Sequence, residues 1–206
     1  MFYTVKIPKI IKLLAPSLIY NIKTEGKAVY LTFDDGPIPE STPAILDILD
    51  SFSAKATFFC LGKNVEQNRD LFNQIKQKNH SIGNHSYNHL KGWATNNKTY
   101  FNDIEEADNI INSTLFRPPY GKISPRQISY LKRKYNIVMW DVLSGDFDPG
   151  ISVKKCINNV VNNVNPGSII VFHDSLKAKS TTIKALPEIL KILSDAGYKF
   201  KGIKQK

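Results

Sequence analysis

Short apolar runs alternate with amphipathic segments along most of this 206-residue chain. The run at 27–33 is rich in β-branched and aromatic residues and stops at Asp-Asp-Gly-Pro, which predicts a strand followed by a turn. Thr42 and Pro43 favour a helix start, and apolar residues then recur at 45, 46, 48, 49 and 52. Similar patterns predict strands near 54–59, 80–83, 115–117, 136–140, 168–172 and 198–203. They predict helices near 64–78, 99–113, 152–164 and 181–196, and one that begins after Ser124-Pro125.

This alternation corresponds to about six or seven strand-then-helix units joined by short connections, with no linker between them. Strands that alternate with helices form a parallel sheet, and this number of units favours a closed or nearly closed barrel. An open doubly wound sheet is the alternative, but no phosphate-binding glycine motif follows the first strand to support it. We divide the chain into a short N-terminal extension, 1–26, and a single domain, 27–206.

The composition is typical of a globular protein, with 42% hydrophobic and 22% charged residues. Lysine and arginine number 28 against 18 acidic residues, and the resulting formal charge of +10 favours contact with a polyanion. The basic residues are spread along the chain without a groove-reading motif, so we expect no specific nucleic-acid partner. The densest basic run, 132–134, is typical of the solvated face of a helix.

The first twenty residues carry short apolar stretches that prolines and lysines interrupt. They lack the unbroken apolar core and the cleavage site of a secretory signal, and no apolar run approaches the roughly 20 residues that cross a bilayer. We therefore expect a cytoplasmic protein without a transmembrane segment. The N-terminal stretch is expected to be an amphipathic prelude that leans on the fold or on a membrane surface. The two cysteines are too few for a disulfide framework.

Reactive side chains cluster where the predicted strands end. They are Asp34 and Asp35 after the first strand, His85 and His89 after the third, Arg117 after the fourth, Asp146 beyond the fifth, and His173 with Asp174 at the sixth. In a parallel barrel these strand ends meet at one rim, where active sites form. His80 opens a strand at the opposite rim, and we expect it to be structural.

His85 and His89 are four residues apart, so a helical turn would place both imidazoles on one face. Two imidazoles and one carboxylate make a three-ligand site for zinc or a similar ion, with a fourth position open. A chance pair of surface histidines is the alternative. The neighbouring Asp34 and Asp35 favour the metal, because two adjacent carboxylates would repel each other without a cation. Taken alone, the segment 34–37 is equally typical of a polar turn.

Arg117 precedes two prolines, a tyrosine and a glycine, which restrict the backbone after it. Its planar guanidinium suits bidentate anchoring of a carboxylate. A surface arginine in front of a proline turn is the alternative.

Five motifs in this order carry a family resemblance. They are TFDDGP at 32–37, HSYNH at 85–89, RPPYG at 117–121, DVLSGDF at 141–147 and VFHD at 171–174. The chain resembles the polysaccharide deacetylase family, carbohydrate esterase family 4, also called the NodB homology domain. The resemblance covers 27–203 and implies a distorted (β/α) barrel of about seven parallel strands.

The resemblance also implies metal-dependent hydrolysis of N-acetyl groups on an amino-sugar polymer. Asp35, His85 and His89 would hold one divalent metal ion, with zinc favoured over cobalt or nickel. Asp34 would be the general base toward water, and His173 would protonate the departing amine. The metal and the backbone N–H of Tyr120 would stabilise the oxyanion. Arg117 and Asp146 would orient Asp34 and His173, in a pairing that the sequence leaves open.

The same resemblance places Pro119, Phe147 and Val171 at the substrate. Phe147 stands where the family usually has tryptophan, and Val171 where it usually has leucine, so the pocket wall stays apolar but changes shape. The expected substrates are N-acetylglucosamine or N-acetylmuramic acid units of peptidoglycan or chitin-like chains. One alternative is an esterase acting on O-acetylated polysaccharide. The other is a non-catalytic basic module that binds cell wall or nucleic acid, which the intact metal and acid–base positions argue against.

Overall fold

Seven parallel strands form a curled, open barrel in the computed structural model, which describes residues 3–205. The strands are β1 Ala28–Asp34, β2 Ala56–Cys60, β3 Ser81–Asn84, β4 Leu115–Phe116, β5 Asn136–Ile137, β6 Val142–Leu143 and β7 Ile169–His173, and β8 Lys199–Phe200 adds to the start of β1. Their order across the sheet is β5-β4-β3-β2-β1-β7-β6, with β1 between β2 and β7. The predicted parallel α/β barrel of about seven strands is confirmed.

Helices surround the sheet, and the first of them, in the N-terminal extension, has no buried residue. They are α1 Lys9–Leu14, α2 Thr42–Ser51, α3 Gly62–Gln67, α4 Arg69–Gln77, α5 Asn97–Ile111, α6 Pro125–Leu131, α7 Val153–Val161 and α8 Lys179–Asp195. No helix within 3–205 is long and apolar enough to cross a membrane.

Three local expectations were wrong. The single helix expected at 64–78 is two helices, because Asn68 leaves the helical conformation with φ −133° and ψ 51°. The strand expected at 136–140 ends at Ile137, and the next strand along the chain, β6, begins at Val142. The basic run 132–134 follows α6 as a turn and is not a helix face.

Strand β1 shows how alternation places chemistry at the rim. Its odd-numbered residues Val29, Leu31 and Phe33 belong to the main core, which includes the inner faces of the helices. Its even-numbered residues point the other way, into the barrel, because successive side chains of a strand alternate. Asp34 is the last of these inward positions, so the buried strand ends in a carboxylate at the carboxyl rim.

The N-terminal extension packs against the barrel. Residues 5–7 run antiparallel to β6, and Ile19 bridges to Val138 beside β5. Leu18 and Tyr20 are buried in the core at this side. The extension therefore lies along the part of the barrel where β5 and β6 do not pair with each other.

Candidate active site

Three potential metal ligands meet at the carboxyl rim. Asp35, His85 and His89 each offer one ligand atom, and these atoms all lie within 4.8 Å of one another. Nε2 of His85 is 3.7 Å from Oδ1 of Asp35, and Nε2 of His89 is 3.3 Å from the same oxygen. Asp35 is the residue directly after β1, while the histidines follow β3, so two strand ends supply the group.

The two histidines are brought together by a loop, and the expected helical turn was wrong. Ser86 and His89 have left-handed φ values of 67° and 60°, which a helix does not contain. The Asn84 side chain accepts from the Ser86 N–H at 2.7 Å, and Ser86 Oγ accepts from the His89 N–H at 3.0 Å. Between them, the Tyr87 and Asn88 N–H groups donate to the Asp103 carboxylate on α5 at 3.0 to 3.2 Å. Sequence reasoning missed this role of Asp103.

The histidine rings are held in the form that binds cations. Nδ1 of His85 contacts the Arg117 carbonyl oxygen at 2.8 Å, which leaves Nε2 directed at Asp35. Burial, together with the neighbouring His89, lowers the pKa of His85 to about 3. Burial also lowers the pKa of His89, although the Asp35 and Asp34 carboxylates oppose it. Neutral imidazoles are the form that ligates metal ions.

Arg117 lies inside the barrel and pairs with Asp34. Its Nη1 donates to Asp34 Oδ1 at 2.6 Å and to Thr32 Oγ1 at 2.7 Å. Its Nε and Nη2 donate to the carbonyl oxygens of Val138 and Met139, at 3.2 and 2.9 Å. Burial lowers the pKa of Arg117, and the Asp34 carboxylate opposes that change. The surface-arginine alternative is wrong, because this side chain is fully buried.

Asp146 pairs with His173 on the other side of the rim. Nδ1 of His173 is 2.8 Å from Asp146 Oδ1, and the His173 backbone N–H donates to Oδ2 at 2.7 Å. Thr182 on α8 also donates to that oxygen, at 2.7 Å. Burial by itself would lower the pKa of His173, but the Asp146 carboxylate outweighs it and raises the pKa to about 9. The imidazolium is therefore the form present near neutral pH.

A cavity of about 660 Å³ connects these groups. The polar residues that line it are Asp34, Asp35, His85, His89 and His173. Arg117 is buried behind Asp34, and Asp146 is buried behind His173. Its apolar wall is formed by Leu143, Trp140, Phe147, Val171 and Pro118. Pro118 and Pro119 are both buried, and Pro118 lines the cavity, whereas Pro119, which the resemblance placed at the substrate, is not among its lining residues.

Tyr120 stands at the mouth of this cavity. Its backbone is left-handed, with φ 58° and ψ 8°, and its side chain is 58% exposed. The Tyr120 ring lies 4.5 Å from the His89 ring, measured between centroids. The N-terminal extension also reaches the cavity, through Tyr3, Thr4 and Ile7. Sequence reasoning missed these three residues, since no local signal links them to wall residues such as Leu143 and Phe147, which lie more than a hundred positions away in the sequence.

Comparison with known proteins identifies the family. The polysaccharide deacetylase profile matches residues 21–139. A peptidoglycan-N-acetylglucosamine deacetylase of Bacillus cereus is 35% identical over 190 residues, which is 88% of each chain. A chitooligosaccharide deacetylase of Azorhizobium caulinodans is 35% identical over 165 residues, or 75% of this chain and 77% of that protein.

The solved structures agree with the sequence comparisons. The crystal structure of a peptidoglycan N-acetylglucosamine deacetylase superposes with a TM-score of 0.88 at 32% identity, over 93% of this chain and 94% of that one. The shared fold thus extends beyond the matched profile to nearly the whole length. This chain belongs to the polysaccharide deacetylase family.

Proposed function

We propose that this protein is a zinc-dependent deacetylase that removes N-acetyl groups from N-acetylglucosamine units of peptidoglycan. One observation carries the proposal: a three-ligand cluster, a buried Asp34–Arg117 pair and a His173–Asp146 pair border one cavity. The relatives named above supply the substrate class, and their family is metal-dependent.

The donor set of Asp35, His85 and His89 fits a divalent ion. Zinc takes nitrogen and oxygen ligands at about 2.0 to 2.2 Å in tetrahedral sites, so its ligand atoms stand about 3.3 to 3.6 Å apart. Of the two separations from Asp35, the 3.3 Å to His89 lies within that range and the 3.7 Å to His85 lies just above it. These three residues would hold the zinc ion, which would supply Lewis-acid polarisation of the amide carbonyl and would lower the pKa of bound water.

Asp34 is the proposed general base. Its carboxylate lines the cavity next to the three ligands, and Arg117 Nη1 holds it by donating a hydrogen bond to Oδ1. Asp34 takes a proton from water as the water oxygen adds to the acetamide carbon. The Tyr120 backbone N–H is the proposed donor to the oxyanion that this addition creates.

His173 is the proposed general acid. Collapse of the tetrahedral adduct breaks the carbon–nitrogen bond, and the nitrogen leaves readily only if it receives a proton. The His173 imidazolium, which Asp146 stabilises, gives that proton to the amine. The products are acetate and a glucosamine unit. Phe147 and Val171 are proposed to contact the acetyl methyl group from the apolar wall.

The cytoplasmic location stays a prediction. Peptidoglycan strands lie outside the cytoplasm, so a cytoplasmic enzyme would act on a precursor or an oligosaccharide instead. Assays with both polymeric and soluble substrates separate these two cases.

The test is acetate release from isolated peptidoglycan and from N-acetyl chitooligosaccharides. The protein is stripped of metal and then restored with zinc, cobalt or nickel. Zinc-dependent release that Asp34→Asn abolishes is the expected result, and the preferred substrate identifies the sugar. Asp47→Asn, an exposed carboxylate on α2, is the matched control and should leave the rate unchanged.

Two results contradict the proposal. Failure to bind zinc would refute the metal assignment. If the protein binds zinc and releases acetate from O-acetylated xylan but from neither amide substrate, it is an esterase.

A further inference from the structure

The N-terminal extension is tied to the edge of the barrel beside the active site. The Leu143 N–H donates to the Val5 carbonyl at 2.8 Å, and the Ile7 N–H donates to the Asp141 carbonyl at 3.0 Å. This pairing is antiparallel, so the extension runs against β6. Because β6 points toward the carboxyl rim, the chain reaches that rim as it is followed back from Ile7 to Tyr3.

A buried carboxylate anchors the extension. Asp141 accepts from Lys6 Nζ at 2.6 Å and from Lys12 Nζ at 2.5 Å, and Ser168 Oγ donates to it at 2.5 Å. Its side chain is only 1% exposed. Both lysines belong to the extension, so removing the extension would cost the Asp141 carboxylate both of these cationic partners. This cost holds the segment, and Tyr3 with it, on the barrel.

Tyr3 contacts the aromatic wall of the cavity. Its ring centroid lies 5.2 Å from that of Phe147, and the Phe147 ring in turn meets the His173 ring edge-on at 5.3 Å. The Tyr3 hydroxyl lies against Gly145, where an added Cβ would overlap it. Phe147 is smaller than the tryptophan usual at this position, and the Tyr3 ring stands beside it as a second aromatic layer.

We infer that Tyr3 is a positioning residue for the general acid: by supporting Phe147, it keeps the His173 imidazole directed at the leaving nitrogen. This inference rests on the proposed function, since it assigns His173 the role of acid. Asp146 restrains the imidazole through Nδ1, and Phe147 restrains the plane of the ring from the side. Tyr3 restrains Phe147. The extension thus contributes a wall of the active site.

The leaving group provides the test, because an amine needs a proton from His173 whereas 4-nitrophenolate does not. Tyr3→Ala should lower kcat on an N-acetyl chitooligosaccharide about tenfold, part of the factor that a general acid contributes. KM and the rate on 4-nitrophenyl acetate should stay within about twofold. Tyr3→Phe, which keeps the ring, should restore kcat. Leu13→Ala, an exposed change on α1 of the same extension, should have no effect.

A second measurement separates this inference from the proposed function. NMR of the imidazole protons reports whether the His173 ring is displaced, with or without activity. We expect the His173 signals to shift in Tyr3→Ala and to stay in place in Tyr3→Phe and Leu13→Ala. Unmoved signals in Tyr3→Ala, or equal losses on amide and ester, would overturn the inference. Absent acetate release by the unaltered protein would instead refute the proposed function, while the NMR signals would still decide whether Tyr3 holds the His173 ring in place.

Discussion

Nη1 of Arg117 donates a 2.6 Å hydrogen bond to Oδ1 of Asp34, and both side chains are buried inside the barrel. Such a pair places a carboxylate in the interior at low cost only while its cation is present. The same guanidinium lies 4.1 Å from the Phe59 ring centroid, so its position is fixed by packing as well as by charge. Arg117 therefore links the stability of the barrel to the orientation of the proposed base.

Arg117→Gln should lower the free energy of unfolding by about 3–5 kcal/mol, the usual cost of leaving one member of a buried ion pair alone. Urea denaturation followed by circular dichroism measures the loss. Arg126→Gln is the matched control, because Arg126 is exposed on α6 and should change stability by less than about 0.5 kcal/mol. Equal stability of the two variants would contradict a structural role for the Arg117–Asp34 pair.

His89→Gln should weaken zinc binding by more than about 100-fold, because it removes a metal ligand itself and not a residue that only hydrogen-bonds to a ligand. Zinc content after dialysis and a zinc titration measure the effect. The bound ion should also raise the unfolding midpoint of the unaltered protein but not of His89→Gln. His80→Gln is the control histidine, because His80 accepts from the Ala56 N–H at the opposite end of the barrel. Zinc loss in both variants would refute the assigned ligand set.

The sequence predicts the fold and the reactive groups because both depend on local pattern. Alternation along 27–33 and the breaker after Phe33 are sufficient to expect Asp34 and Asp35 at a strand end. The rule that carboxyl ends of parallel strands meet at one rim then brings Asp35 near His85.

The parts that could not be predicted depend on contacts distant in sequence. The loop after β3 is held by Asp103 on α5, and this outweighs the four-residue spacing that suggested a helical turn. The Lys6–Asp141 contact joins residues 135 positions apart, and no local sequence pattern predicts it. The pairing of Arg117 with Asp34 and of Asp146 with His173 likewise required coordinates.

His173 should titrate near pH 9 in the metal-free protein, well above the ordinary value of 6.5. The Asp146 carboxylate is the cause, so Asp146→Asn should lower the pKa of His173. A raised pKa stabilises the folded state fully below pH 6.5, and this contribution is lost as the pH rises through about 9. Asp146→Asn should therefore destabilise the protein more at pH 6 than at pH 10. Histidine NMR titration and urea unfolding at both pH values measure these effects, and a His173 pKa near 6.5 would contradict them.

Gly36 follows the proposed ligand Asp35, and its N–H donates to Asp174 Oδ1 at 2.8 Å. Asp174 also accepts from Thr42 at 2.6 Å, and burial raises its pKa to about 7 although that hydrogen bond opposes the change. An added Cβ at Gly36 would overlap the Asp174 carboxylate. Gly36→Ala should therefore cost about 1–3 kcal/mol of stability, the usual range for overpacking. It should also weaken zinc binding, because the neighbouring ligand is displaced.

Gly150→Ala is the matched control for this prediction. A Cβ at Gly150 would meet its nearest neighbour, an Asp148 oxygen, at an ordinary 3.6 Å. Stability should then change by no more than about 0.5 kcal/mol, and zinc affinity should not change. Urea unfolding and zinc titration of the two alanine variants decide the matter. If Gly36→Ala behaves like Gly150→Ala, the contact between Gly36 and Asp174 does not hold the proposed ligand Asp35 in place.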